Sequence, residues 1–356
     1  MGKRTHDSTG ANPTQQAPTD TNLAIPDTFR RQCESIVQEL GLGDVTDIQA
    51  IKALTGGVSS DIAVVELKHR SICIKCSLDQ LRVDAAWFAP VRRNLAEYRW
   101  IEFAAGVVPT AVPELLGRSS QSNGFAMAFV DPSQAWNYKN GLLSGQADQG
   151  EAAAIGDIIG QIHAASATPD FDSGRFNNAA DFYALRLEPY LTYTADQHPQ
   201  VAPQLKLLAR HYDQARLALV HGDLSPKNVL IGANGPIVLD AECASFGDPA
   251  FDIAFFSNHL ALKSFHIKGA HGKLLQAMQQ FFQAYQPHVN WEPIAKMEEK
   301  TCALLPALML ARVDGKSPVE YLDTNTRRKV RTVAVEMLSK PVRSIVQLVD
   351  RLQSAL

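Results

Sequence analysis

Residues 217–252 read LALVHGDLSPKNVLIGANGPIVLDAECASFGDPAFD, and this stretch restricts the possible folds more than any other. Two short apolar runs, Val229 to Ile231 and Ile237 to Leu239, flank Gly232-Ala233-Asn234-Gly235-Pro236, the composition of a turn that folds one strand back on the next. With Ile231 placed opposite Ile237, equal steps outward set Asn228 opposite Asp240, and cross-strand neighbours lie about 4.5–5.5 Å apart at Cβ. An amide oxygen and a carboxylate then meet at one end of a ribbon. His221-Gly222-Asp223 follows an apolar run just upstream, so a second carboxylate leaves a strand on a tight turn near the same place. Hard oxygen donors of this kind suit Mg2+, which takes few protein carboxylates and completes its shell with water and substrate phosphates.

The chemistry that uses such a group is phosphoryl transfer. Charge spreads over the equatorial oxygens of the transferred group, so a protein must neutralise it with metal and hold the acceptor in line. On that reading Asn228 and Asp240 hold Mg2+, and Asp223 faces the acceptor hydroxyl.

These residues resemble the kinase-like small-molecule phosphotransferases: aminoglycoside phosphotransferases, choline kinases and methylthioribose kinases. The shared pattern is an HGD catalytic loop, an Asn five residues after the Asp, and a metal-binding Asp about a dozen residues further on, all present here. Glu242 adds the D-x-E form familiar from choline and methylthioribose kinases. The resemblance implies an α+β, protein kinase-like fold of two lobes. It also implies ATP and Mg2+ as cofactors, Asp223 as the catalytic residue, and Asn228, Asp240 and Glu242 at the metal. Two departures stand out. Methylthioribose kinases usually lack the Asn present here as Asn228, and the glycine turn reads Ser-Ser-Asp where relatives often have Ser-Asn.

With 356 residues, 46% of them hydrophobic, the chain is long enough for two lobes with proper cores. Its 34 basic and 37 acidic side chains nearly balance, which speaks against nucleic acid or an anionic membrane as a partner. The expected partner is a small molecule with a hydroxyl. Five scattered cysteines do not read as a disulfide framework and suit a reducing cytoplasm. Cys73 and Cys76 form C-x-x-C, but on a strand positions three apart point to opposite faces. No apolar stretch reaches the roughly 18 residues that span a bilayer, and the N-terminus lacks the apolar core of a signal peptide.

Taken in order, residues 1–22 are rich in Thr, Pro, Gln, Asn and Ala without apolar periodicity and read as a disordered tail. Residues 23–130 read as a nucleotide-binding N-lobe with five antiparallel strands and one main helix. A short helix over 29–40 precedes strands at 48–54 and 62–67. Between the two strands lie Gly56, Gly57, Ser59 and Ser60, small residues that let main-chain N–H groups approach an anion. No Gly-Lys-Ser/Thr follows, so this is not a Walker A loop. Lys75 sits in an apolar strand, 71–76, where a charge needs a partner. The resemblance gives it the nucleotide phosphates and gives it Glu97, on a helix over 90–105, as its ion-pair partner, with Glu102 the competing choice. Strands at 112–116 and 124–130 follow. The last, FAMAFV, resembles the strand before the interlobe hinge, so Met127, Ala128, Phe129 and Val130 are expected at the adenine.

Residues 131–356 read as a larger, mostly helical C-lobe. Asp148 with Glu151 makes a capped start for a buried helix running to His163. Helices are expected around 181–191 and 205–217, then at 274–285, 293–312 and 327–356 with a break at Pro341. Asp252 matches a family aspartate that supports the catalytic loop. Only Ala241 to Ala250 lies between Asp240 and Asp252, with no Ala-Pro-Glu after it, and Ser225 replaces the lysine that protein kinases carry two residues after the catalytic aspartate. A small acceptor is favoured over a protein. In this family acceptors sit between the catalytic loop and the C-terminal helices, which points to His259, Lys263, Arg312 and Asp314. A catalytically silent nucleotide-binding module is the competing reading, and it predicts a missing base or metal ligand; none is missing.

Overall fold

The computed structural model describes residues 25–54, 60–78, 93–146 and 148–356. The expected tail, and Gly56, Gly57 and Ser59 of the glycine turn, lie outside the described residues.

The N-terminal part is organised by strand alternation. Helix α1, Asp27–Glu39, buries Phe29, Cys33, Ile36 and Val37 along one stripe. Gly41 ends it in the left-handed region (φ 63°), with Gly41 N–H donating to Gln38 O and Leu42 N–H to Val37 O. Strands β1 (Ile48–Ala53), β2 (Ser60–Leu67), β3 (Ser71–Ser77), β4 (Leu115–Arg118) and β5 (Gly124–Ala128) form one antiparallel sheet in the order β1-β2-β3-β5-β4. Central β3 is covered on both faces. Ile72, Ile74 and Cys76 join the small core under α1, while Cys73 joins the main core with Trp100, Ile101 and Ala104 of helix α2, Arg93–Val107. The two cysteines of the C-x-x-C therefore point to opposite faces, as expected, and both are free thiols. Lys75 shares the α2 face with Cys73.

The C-terminal part is helical except for two small sheets. Strand β6 (Ala135–Asn137) leads into α3 (Tyr138–Leu143) and then α4 (Glu151–Ser166). Asp148 accepts from Ala152 N–H at 2.9 Å and Gly150 N–H at 3.2 Å, so it starts α4 as expected. Next come α5 (Ala179–Phe182), a π-helical segment Tyr183–Thr192, α6 (Tyr193–Gln197), α7 (Ala202–Gln214) and β7 (Ala218–Val220). The expected α-helix around 181–191 is thus mostly π, and Pro189 supplies the reason. It has no N–H to give the carbonyl of Leu185, one α-turn back, and a π-turn accommodates the lost bond. Leu185 O also accepts from Arg186 Nη1 at 2.7 Å.

Strands β8 (Val229–Gly232) and β9 (Gly235–Val238) form the hairpin, joined to β6 in the order β6-β8-β9. Its register corrects the sequence reading by one residue. The chain reverses over Ala233-Asn234, with Gly235 taking φ 111°, so Ile231 faces Pro236 and Leu230 faces Ile237. Glycine's freedom at positive φ permits this tighter turn, and edge strand β9 tolerates a proline without an N–H. Asn228 therefore lies across from Leu239, whose N–H donates to Asn228 O at 2.9 Å, and Asp240 falls one residue beyond. Strand β10 (Ser245–Gly247) pairs with β7. Helices α8 (Ala250–His266), α9 (His271–Tyr285), α10 (Ile294–Asp314), α11 (Thr324–Ser339) and α12 (Ile345–Ala355) complete the fold. Every residue of α8 from Ala250 to Ser264 is buried. The break expected at Pro341 falls between α11 and α12. No helix among the described residues is long and apolar enough to cross a membrane.

Candidate active site

The HGD loop follows β7 and is fixed by its backbone. Asp252, in the first turn of α8, accepts from His221 N–H at 2.6 Å and Gly222 N–H at 2.8 Å. His163 of α4 donates to the same carboxylate at 3.2 Å, and its other ring nitrogen bonds Tyr285 Oη of α9 at 2.9 Å. Three helices thereby hold two consecutive peptide groups. Gly222 sits at φ 75°, and a Cβ there would come within 2.5 Å of Cys243 O, so no other residue fits. His221 donates from Nε2 to Leu239 O (3.0 Å) and accepts Asp223 N–H at Nδ1 (3.1 Å), which is the neutral imidazole's pattern. Burial holds its pKa below the ordinary histidine value. It is a strut between the loop and the end of β9.

Asp223 is buried and heavily partnered. Asn228 Nδ2 donates to its Oδ2 at 2.9 Å and to its carbonyl at 3.0 Å. Arg186 Nη2 lies 3.0 Å from Oδ1 and Lys227 Nζ 3.2 Å from Oδ2. Burial alone pushes the Asp223 carboxyl up, but Arg186 and then Lys227 outweigh it and hold the pKa below the usual carboxylate range. Asp223 is an ionised acceptor of hydrogen bonds. Arg186 also donates from Nε to Gly222 O at 2.5 Å, and its guanidinium lies 5.9 Å from the Tyr190 ring and 5.8 Å from that of Phe255. Sequence reasoning missed Arg186 and Lys227. The available signal for Arg186 was a charge between Leu185 and Leu187, three residues before a helix-interior proline.

Lys75 of β3 pairs with Asp240. Its Nζ lies 2.7 and 2.9 Å from the two carboxylate oxygens of Glu97 and also binds Asp240 Oδ1, all with the lysine 3% exposed. The competing Glu102 instead pairs with Arg175 at the surface, 2.5 Å away. Burial by itself lowers the Lys75 pKa; Asp240 and Glu97 reverse that and raise it above the ordinary lysine value. Asp240 in turn is held well below the carboxylate range, because Lys75 and Lys227 overcome the opposing effect of burial. Asp240 is also the one non-glycine residue at positive φ (68°) among those described. A left-handed aspartate is sparsely populated backbone, kept here by the surrounding contacts.

The remaining expected residues fall as follows. Ser60 opens β2, buried and opposite Ser77. Met127 is buried on β5 between Cys73 and Leu115, Ala128 ends the strand, and Phe129 and Val130 follow it half-buried. Glu242 is directed to Arg93, whose Nε donates to it at 3.2 Å. His259 and Lys263 lie one turn apart on α8, and Arg312 near the end of α10 hydrogen-bonds Tyr190 Oη at 3.3 Å and Ser317 Oγ at 2.8 Å. Asp314 stands apart: Arg331 binds both its oxygens at 2.5 and 2.6 Å and His198 binds at 2.8 Å, a clamp between α10 and α11. Among the described residues, no group of three or more His, Cys, Asp or Glu side chains is arranged to hold a metal ion.

A family model described as the phosphotransferase enzyme family matches residues 50–293, more than half of the sequence. The chain belongs to that family. Membership supports a small-molecule phosphotransferase. Solved structures share the fold at low sequence identity. Amicoumacin kinase, solved with AMP-PNP, Ca2+ and Ami, is 13% identical, with a TM-score of 0.56 over 90% of this chain and 99% of that one. An ethanolamine kinase from Plasmodium vivax is 10% identical, with a TM-score of 0.53 over 95% and 91%. A choline/ethanolamine kinase family protein from Mesorhizobium loti is 14% identical, with a TM-score of 0.50 over 92% and 99%. The fold is protein kinase-like, with the five-stranded antiparallel sheet in the N-terminal part and the helices in the C-terminal part. No curated protein matches the sequence.

Proposed function

We propose that this phosphotransferase moves the γ-phosphate of ATP to a hydroxyl of a small molecule. The observation that carries the reading is the joining of Lys75, Glu97 and Asp240 in one ion-pair group, with an ionised Asp223 beside Asn228. Residues 23–130 would bind the nucleotide, with the main chain at 127–130 facing adenine, and residues 131–356 would supply the catalytic loop and the acceptor site.

Lys75 is the nucleotide-phosphate group. It stays charged because two carboxylates hold it, and entering phosphate oxygens compete with Asp240 for its ammonium. Asp223 takes the acceptor hydroxyl as its hydrogen-bond donor and keeps that oxygen aimed at the γ-phosphorus. The new bond joins acceptor oxygen to phosphorus, the bond from phosphorus to the β–γ bridging oxygen breaks, ADP leaves, and the hydroxyl proton passes to Asp223. A carboxylate with so low a pKa is a weak base toward an alcohol. It accepts the proton late, once the oxygen is bonded to phosphorus.

The donor set suits Mg2+. Lys75 takes Asp240 Oδ1, leaving Oδ2, and Asn228 Nδ2 is spent on Asp223, leaving the amide oxygen. Two hard oxygens match an ion that otherwise binds water and phosphate, and Mg2+ held there would neutralise the transferred charge. Glu242, engaged by Arg93, would assist only through water. A small acceptor is supported by the short link from Asp240 to α8, which includes β10 tied to β7. The buried free cysteines fit a reducing, cytoplasmic setting.

The test is ATP turnover with pooled hydroxyl acceptors, wild type against Asp223→Ala. Acceptor-dependent ADP release by the wild type alone is expected. Equal turnover by both removes Asp223 from the chemistry.

A further inference from the structure

We propose that the acceptor carries an anionic oxygen group, carboxylate or phosphate, received by His259, Lys263 and Arg312. The inference rests on the reading of Asp223 as the group that faces the acceptor hydroxyl.

Aromatic rings connect these basic side chains to Asp223. Arg186, which grips Asp223, lies against Tyr190 and Phe255. Arg312 of α10 lies over the same Tyr190 ring at 5.8 Å. His259 packs edge-on to Phe255 at 5.4 Å, one turn along α8. Lys263 continues that face by another turn. Two shared rings thus link Asp223 to a buried basic cluster.

Among the described residues no carboxylate forms an ion pair with His259, Lys263 or Arg312. Lys263 is 1% exposed, and among the described residues its ammonium meets the face of Tyr321 at 5.2 Å but no carboxylate within ion-pair distance. Arg312 spends Nη1 on neutral acceptors, Tyr190 Oη and the carbonyl and hydroxyl of Ser317, while among the described residues its buried Nε and the nearby Tyr321 Oη have no hydrogen-bond partner. The charges acting most strongly on His259 are those of Lys263, Arg312, Lys227 and Lys139, all cations. Those acting on Lys263 are Lys139 and Arg312, opposed only by Glu320. Glu320 is itself at the surface, paired with Lys139 at 2.6 Å. Burial without a counter-charge disfavours the protonated form of both His259 and Lys263, and an arriving anion would restore it. Burial, then Lys139 and Arg312, lower the Lys263 pKa to about 7, and burial with Lys263 holds the His259 pKa well below its ordinary value. An ammonium-bearing acceptor would meet repulsion on this face. A hydroxy acid or a phosphorylated alcohol supplies both the hydroxyl for Asp223 and the missing charge.

The experiment runs wild type, Asp223→Ala and Lys263→Met with MgATP against four acceptor pools: hydroxy acids, sugar phosphates, neutral sugars, and amino alcohols with aminoglycosides. Asp223-dependent product is expected in one of the first two pools, which also tells carboxylate from phosphate. For that acceptor, Lys263→Met is expected to raise KM about tenfold or more, the loss of a charge-assisted hydrogen bond, with kcat changing less and the protein still folded. Should Lys263→Met fail to fold, protection of the wild type against thermal unfolding by the anionic pools with ADP and Mg2+, and not by the cationic pool, is the supporting result. Asp223-dependent product only from neutral or cationic acceptors overturns the anionic assignment and leaves the phosphotransferase reading intact. No Asp223-dependent product from any pool overturns both.

Discussion

Arg186 holds Asp223 from both ends: its Nη2 pairs with the carboxylate at 3.0 Å and its Nε donates to the carbonyl of Gly222, the preceding residue, at 2.5 Å. One side chain therefore sets both the charge and the position of the proposed base. It reaches there from a π-helical turn that Pro189 imposes, and the same turn gives Arg186 a third bond, to Leu185 O. π-turns recur where a helix must present a functional side chain.

Arg186→Lys is expected to lower kcat at least tenfold with KM for ATP nearly unchanged, because an ammonium cannot reproduce the fork. The acid limb of the kcat/KM profile should move to higher pH. Arg186 is the largest influence holding the Asp223 pKa down, so weakening it lets Asp223 protonate, and activity fail, at a less acidic pH. Arg186→Met breaks a buried pair and is expected to cost about 3–5 kcal/mol of stability as well. Steady-state kinetics against pH, with thermal unfolding of each variant, checks this.

The two acids of the D-x-E pattern should separate. Asp240→Asn keeps a residue that tolerates positive φ but removes the charge facing Lys75, so the Mg2+ needed for half-maximal rate should rise about tenfold or more. Glu242→Gln removes the carboxylate to which Arg93 Nε donates and should act mainly on stability, with the Mg2+ requirement moving less. Rate against Mg2+ concentration for the two variants reads this directly.

Lys263 gives a stability signature of its own. Its folded pKa is about 7 against 10.5 as a reference, so between those values the unfolded chain binds the proton and the folded protein does not. Stability contributed by this group therefore rises with pH across that window, by up to about 1.4 kcal/mol per unit. Lys263→Met lacks the titration. Its advantage over the wild type is expected at pH 6–7 and should shrink toward pH 10, as followed by denaturant unfolding at each pH.

Much of this was legible in the residues because it is local. The HGD turn, the later Asn and Asp, and Lys75 in an apolar strand each announce themselves by short-range pattern, and the C-x-x-C faces follow from strand alternation. The hairpin register slipped by one because turn residues were counted by composition, whereas the positive φ at Gly235 decides where the chain reverses. Arg186 went unseen because its partner is 37 residues away and its helix type depends on a proline's missing N–H. Asp314 is expected at the acceptor from the family resemblance, and its partners His198 and Arg331 come from other elements. Long-range pairing of charges leaves no periodic trace in a sequence.

The most direct measurement is a crystal structure of the protein with AMP-PNP and Mn2+ in place of Mg2+, the metal located by its anomalous signal. The account predicts the ion bound by Asp240 and Asn228 and by phosphate oxygens, with Lys75 turned from Asp240 to the phosphates while keeping Glu97. A metal away from residues 228 and 240, or phosphates that do not touch Lys75, would contradict it.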